Sequence, residues 1–375
     1  MKIKRFYSNL SQHLEEGKVL VIFGPRQVGK TTLIQDFLSQ TTLKFKLETG
    51  DDIRIQNLFA SQELDRILSY ARPYELLVID EAQKIPHVGI ALKMIVDHLP
   101  HIQIIVTGSS SFDLAGQIGE PLTGRKKTLT LFPLSQLELK EKYGSYELEE
   151  QLHNYLIYGA YPEIITASTI EEKRNKIEEI THSYLLKDIL ELERVKSSKI
   201  LLDLLRLIAF QIGKEVSLSE LGTQLAIDRK TVARYLDIFE KSFILFNVRG
   251  FSRNLRKEVS KSSRYYFYDL GVRNALIANF NAIELRNDVG ELWENFVFIE
   301  RLKKRSYKNI FANVYFWRTW DQKEIDIVEE REGKLFGYEC KWSPSKTKAP
   351  KDWVKNYPEA SFEIIGRKDY LDFVS

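Results

Sequence analysis

The sequence predicts an α/β protein built on a parallel sheet, followed by helical units and a smaller mixed unit. Three stretches carry that expectation. Val19–Thr32 (VLVIFGPRQVGKTT) is an apolar run suited to a buried strand that enters a glycine-bounded loop and leaves into a helix. Glu75–Gln83 (ELLVIDEAQ) is a second apolar run, closed by two acids. Near the C-terminus, Val314–Arg318, Glu324–Glu329 and Lys334–Trp342 read as strands that follow an amphipathic helix, Gly290–Arg301.

At 375 residues the chain is long for one core, so two or three domains are expected. Hydrophobic residues make up 43% and charged residues 29%, an ordinary globular balance. A net charge of +3 is too small to imply nucleic-acid binding by itself, so such a claim has to come from local basic clusters. Cys340 is the only cysteine, which excludes an internal disulfide and a zinc site of several cysteines. No apolar run approaches a membrane span and MKIKRFYSNL lacks a signal-like core, so the cytoplasm is the expected compartment and no membrane partner is expected.

The loop Gly24-Pro25-Arg26-Gln27-Val28-Gly29-Lys30-Thr31-Thr32 has the spacing of a phosphate cradle. Gly24 and Gly29 let the backbone turn so that N–H groups point at phosphates. Lys30 brings charge to the β- and γ-phosphates, and the Thr31 hydroxyl completes the coordination of Mg²⁺. The expected ligand is ATP or GTP with Mg²⁺. After helix Leu33–Leu38, strand Leu43–Leu47 and helix Gln62–Tyr70, Asp80 suits a hold on the metal and Glu81 suits the positioner of an attacking water. Strand Ile102–Val106 then ends in a hydroxyl-rich turn where Thr107, Ser109 or Ser110 can reach the γ-phosphate, with Ser109 the chosen sensor.

This order resembles AAA-type ATPases. The resemblance implies ATP as the nucleotide, and an arginine that completes the site of a neighbouring subunit, for which Arg125 in LTGRKK is the candidate. Helical patterns follow at Leu148–Tyr158, Glu171–Ser183 and Lys199–Gly213, interrupted by YGAYPE. That turn is similar to the glycine–x–proline lid motif of related signal-transduction NTPases, which implies a nucleotide contact for Pro162; an ordinary turn between helices is the other reading.

Val216–Ile244 holds two short amphipathic segments joined near Ala226-Ile227-Asp228, which is helix-turn-helix spacing. The second presents Arg229, Lys230 and Arg234, suited to phosphate or base-edge contacts with DNA. Strand-like runs Phe243–Val248 and Arg264–Tyr268 bracket a loop with Arg253, Arg256, Lys257 and Lys261, as in a winged helix. In the C-terminal strands, alternation puts Glu324 and Asp326 on one face with Ile325 and Ile327 on the other, and joins Glu339 to Lys341.

Glu294 on the helix, EID and ECK together resemble the PD-(D/E)XK nuclease superfamily. The resemblance implies that Glu294, Asp326 and Glu339 hold Mg²⁺ and that Lys341 assists the attacking water. End to end, the chain resembles a family of prokaryotic ATPases that join an AAA module to a C-terminal region of winged-helix and endonuclease-like parts. The expected domains are residues 1–133 (P-loop NTPase), 134–213 (helical lid), 214–275 (winged helix) and 276–375 (an α/β, restriction-endonuclease-like domain). Two functions stay open. One is an ATPase that contacts DNA and sets a nuclease-like domain by nucleotide state, with oligomerisation left open. The other is a nucleotide-gated switch for a protein partner, carrying an inert nuclease-like scaffold.

Overall fold

The computed structural model describes residues 3–109, 119, 121–185, 198–252, 262–319, 321–344 and 346–375. The basic loop residues Arg253, Arg256, Lys257 and Lys261, and Ser110, lie outside them.

Five parallel strands form the first sheet in the order β2-β3-β4-β1-β5: β1 is Val19–Phe23, β2 Phe45–Thr49, β3 Leu76–Asp80, β4 Gln103–Gly108 and β5 Lys126–Thr130. Every residue of β1 is buried. Leu20 and Ile22 enter one core, while Val19, Val21 and Phe23 enter another on the opposite face. A parallel strand covered on both faces reads as an unbroken apolar run, which is why these strands were visible in the sequence. The two edge strands are the exceptions: Phe45 and Leu47 of β2 are exposed and that strand lies later than the expected Leu43–Leu47, while β5 (KKTLT) is mostly polar and was not expected as a strand.

The helical segment opens at Gln136–Glu150 with a capping box in which Ser135 and Glu138 satisfy each other's backbone. The expected helix Leu148–Tyr158 is two: Leu148 lies in the last turn of the first, Gln151 breaks the run, and Leu152–Tyr158 follows. The helix expected over Glu171–Ser183 is α-helical over Ile170–Glu179 and continues as a π-helical turn, Ile180–Leu185.

The second sheet has seven strands in the order β12-β11-β10-β9-β7-β8-β6. These are β6 Glu215–Val216, β7 Leu245–Gly250, β8 Ser263–Phe267, β9 Asn313–Arg318, β10 Glu324–Arg331, β11 Lys334–Cys340 and β12 Ser361–Ile365. Parallel pairing of β7 with β9, at Arg249↔Tyr315 and Gly250↔Phe316, makes one sheet of two expected domains. Helix Val289–Lys308 lies against β8 and β11 and runs two turns beyond the expected Arg301.

One register expectation fails. A β-bulge between Ile325 and Val328 in the β9 pairing shifts the alternation. Ile327 therefore enters the main core with Tyr338 and Cys340, whereas Ile325 joins a smaller cluster with Val328, Leu335 and Trp353.

The YGAYPE turn is fixed by a residue far along the chain. Asp269 accepts from Ala160 N at 2.7 Å and Val272 N at 3.3 Å, its carboxyl raised by burial. Gly159 has φ +80°, and a Cβ there would lie 1.9 Å from Asp269 Oδ1. Gly159→Ala is expected to cost on the order of 2–4 kcal/mol, read as a lower urea midpoint. An unchanged midpoint would show that the turn relaxes freely.

Candidate nucleotide site and C-terminal acid cluster

The loop leaves the C-terminal end of β1. Gly24 has φ +150°, and a Cβ there would come within 2.0 Å of Leu131 O, so the close approach of the segment after β5 requires glycine. Gly29, at φ +94°, sits at the start of helix Lys30–Leu38 without a side-chain cap. The first N–H groups of that helix therefore face the loop. Pro25 and Val28 are buried, Arg26 and Gln27 half-buried, and Thr31 and Thr32 exposed. Lys30 is 5% exposed, and its Nζ donates to Gly24 O at 2.7 Å and Pro25 O at 2.8 Å.

Strands β3 and β4 bring their ends to the same edge. The Thr31 hydroxyl donates to Asp80 Oδ2 at 2.8 Å, and the Thr107 hydroxyl donates to Asp80 Oδ1. Glu81 N donates to Thr107 Oγ1 at 3.2 Å, and the Glu81 carboxylate accepts from Gln83 Nε2 at 2.5 Å. Thr107 thus touches both acids, through the Asp80 carboxylate and the Glu81 N–H; Ser109 lies fully buried just beyond. Arg125 precedes β5, at the opposite edge of the sheet from the loop, and pairs with Asp97 at 2.5 Å. That position removes it from the nucleotide site of its own chain. Pro162 starts helix Pro162–Thr166 beside the Asp269 lock.

The C-terminal acids gather beneath helix Val289–Lys308. Tyr266 Oη donates to Glu294 Oε1 at 2.5 Å, and Arg264 reaches Glu294 at 3.5 Å and Glu324 at 2.6 Å. Asp326 accepts from Cys340 N at 2.8 Å, and Lys341 pairs with Glu339 at 2.6 Å. Burial pushes the Glu294 carboxyl up to about 7, against the pull of Arg264 and Tyr266 and with repulsion from Glu324 and Glu339 added. Burial, then Glu294 and Glu339, raise Asp326 well above the carboxylate range; burial also raises Glu339. The expected residues are therefore neighbours. Yet among the described residues no three His, Cys, Asp or Glu side chains converge as a metal site, so joint ligation by Glu294, Asp326 and Glu339 is not preformed. Arg264 and Tyr266 from β8, absent from the sequence expectation, hold Glu294 instead. The signal was there in SRYYF, but only pairing across the sheet gives it meaning.

Asp228 caps helix Arg229–Lys241 through Lys230 N and Thr231 N, and Ala226 turns the chain at φ +54°. A Cβ on Gly222 would lie 2.7 Å from Ile227 O, so glycine permits the tight turn between helices Leu218–Leu225 and Arg229–Lys241. Arg229, Lys230 and Arg234 are exposed. No described helix is long and apolar enough to cross a membrane.

The parallel sheet and its loop define a P-loop ATPase-like domain. In agreement, residues 16–140 match an AAA domain, residues 149–283 match a domain of unknown function (DUF8612), and residues 289–364 match another (DUF4143). An uncharacterized protein of Mycobacterium tuberculosis is 28% identical over 338 residues, which cover 89% of this chain and 72% of that protein. One of Haemophilus influenzae is 25% identical over 354 residues, 88% of this chain and 84% of its own. One of Methanocaldococcus jannaschii is 24% identical over 333 residues, 83% and 73% respectively.

The acid cluster makes stability depend on pH. Glu294 holds its proton up to about 7 when folded and only to about 4.5 when unfolded, so the folded state binds more protons in between. This contribution is fully present below pH 4.5 and is lost as pH rises through 7, by on the order of 3 kcal/mol. Thermal unfolding from pH 5 to 8 in chelator should show that decline, flattened in Glu294→Gln. An equal slope in both proteins would contradict it.

Proposed function

We propose that the chain is a Mg²⁺-dependent ATPase whose nucleotide state sets the arrangement of a DNA-contacting winged helix and a nuclease-like C-terminal scaffold. The carrying observation is the Asp80 carboxylate held between the hydroxyls of Thr31 and Thr107 at the mouth of the loop. Hard oxygen donors suit Mg²⁺. Thr31 and Asp80 would hold the ion, which when bound neutralises charge on the β- and γ-phosphates. Lys30 would exchange its loop carbonyls for phosphate oxygens, and Glu81 would orient the attacking water and take its proton. Ser109 remains the sensor candidate, Pro162 a candidate nucleotide contact from the lid, and Arg125 a candidate from a neighbouring subunit.

The winged-helix reading is supported by element order: helix Ser198–Phe210, β6, two helices, then β7 and β8, with β8 central among the three strands. Exposed Arg229, Lys230 and Arg234 on its second helix support DNA contact. The scaffold reading of the C-terminal sheet rests on Arg264: its guanidinium supplies, as a fixed cation among Glu294 and Glu324, charge that a nuclease takes from metal ions. The boundaries at 133, 213 and 275 are kept as functional divisions, although one sheet spans the last of them.

Lys30→Ala is expected to abolish ATP hydrolysis. Glu81→Gln should still bind ATP while turnover falls by about 100-fold or more; unchanged turnover would refute its role. Wild type should leave DNA intact with Mg²⁺ or Mn²⁺, and cleavage that Asp326→Ala removes would overturn the scaffold reading. Replacing Arg229, Lys230 and Arg234 by Ala should reduce the slope of log affinity for DNA against log salt by about 3. An unaltered slope would remove that helix from the DNA interface.

A further inference from the structure

We infer that Arg5 is a positioning residue for the nucleotide loop and links it mechanically to the C-terminal helix. Arg5 is only 8% exposed, and its guanidinium reaches four separate parts of the chain. Nη1 donates to Val28 O in the loop. Nε donates to Glu138 Oε1 at 2.7 Å, and Nη2 donates to Phe132 O at 2.7 Å and Tyr307 Oη at 3.4 Å.

The first contact bears on phosphate binding through peptide geometry. In a trans peptide the carbonyl and the following N–H point in opposite directions. Fixing Val28 O on Arg5 therefore turns the Gly29 N–H away from Arg5, toward the side on which the loop would cradle phosphate. The remaining contacts reach outward. Glu138 also accepts from Phe6 N at 2.9 Å and, through Oε2, from Ser135 N at 2.9 Å, so it anchors the first helix after the ATPase sheet. Tyr307 lies in the last turns of helix Val289–Lys308, stacks on Phe6 at 4.8 Å and meets Tyr7 edge-on at 5.2 Å. Movement of the loop on filling with nucleotide is thereby transmitted through one rigid, planar group to the helix that covers the acid cluster.

This inference rests on the ATP reading given above, and the test separates the two. Arg5→Lys keeps the charge opposite Glu138 but loses the fork that reaches Val28, Phe132 and Tyr307 together. In the full-length protein it should raise KM for ATP about tenfold while kcat stays within about twofold. A purely structural role would instead reduce the active fraction and leave KM alone. Tyr307→Phe should raise KM about threefold in the wild-type background and add nothing in the Arg5→Lys background, since both act through one contact. Wild-type binding of ATP with an unmoved KM in Arg5→Lys, or strictly additive effects of the two substitutions, overturns the inference alone. Failure of the wild type to bind ATP by calorimetry overturns the ATP reading, and this inference with it.

Discussion

A buried guanidinium has to place its donors on protein acceptors, because water cannot reach them. Arg5 meets that requirement with the loop, the segment after β5, the capping box at Glu138 and the end of the long C-terminal helix. Those parts must therefore assemble together, for removing one leaves a buried charge or donor without a partner. The apolar packing follows the same lines: Leu20 and Ile22 of the ATPase sheet share a continuous core with helix residues Leu292, Trp293 and Phe296. The nucleotide loop is thus part of the wall between the halves of the molecule.

The two acidic centres are treated differently by their surroundings. Asp80 is met by hydroxyls, which stabilise a carboxylate without neutralising it and leave its charge available to a cation. The C-terminal acids are met by Arg264 and Lys341, and their own mutual repulsion and burial raise their proton affinity. Both centres carry the residue types of metal sites. Among the described residues, the side chains hydrogen-bonded to Asp80 are hydroxyls and those at the second centre include cations.

The legible part of this molecule was what local chemistry dictates. The loop, the acid-ended strand and the turn at Ala226–Asp228 all announce themselves within a dozen residues, because glycine conformation, two-sided burial and helix capping are short-range constraints. Arg264, Asp269 and Arg5 were not legible as site residues, since each acquires its role from a partner outside its own element, at Glu294, Ala160 and Val28 respectively; Thr107 was one of three candidate hydroxyls, and only its contact with Asp80 distinguishes it. Strand alternation foretold the nearness of Asp326, Glu339 and Lys341 but not the bulge that moves Ile327, because a bulge is set by the neighbouring strand. Likewise, nothing within either segment announces that β7 and β9 pair and join two expected domains.

Coupling between loop and C-terminal helix is the central claim, and amide hydrogen exchange with and without ATP, on a Glu81→Gln protein that retains the nucleotide, tests it most directly. Altered protection is expected in the loop at 24–32 and, together with it, in segments 3–7, 132–139 and 300–308. A change confined to 24–32 and the strand ends around Asp80 and Thr107 would contradict it.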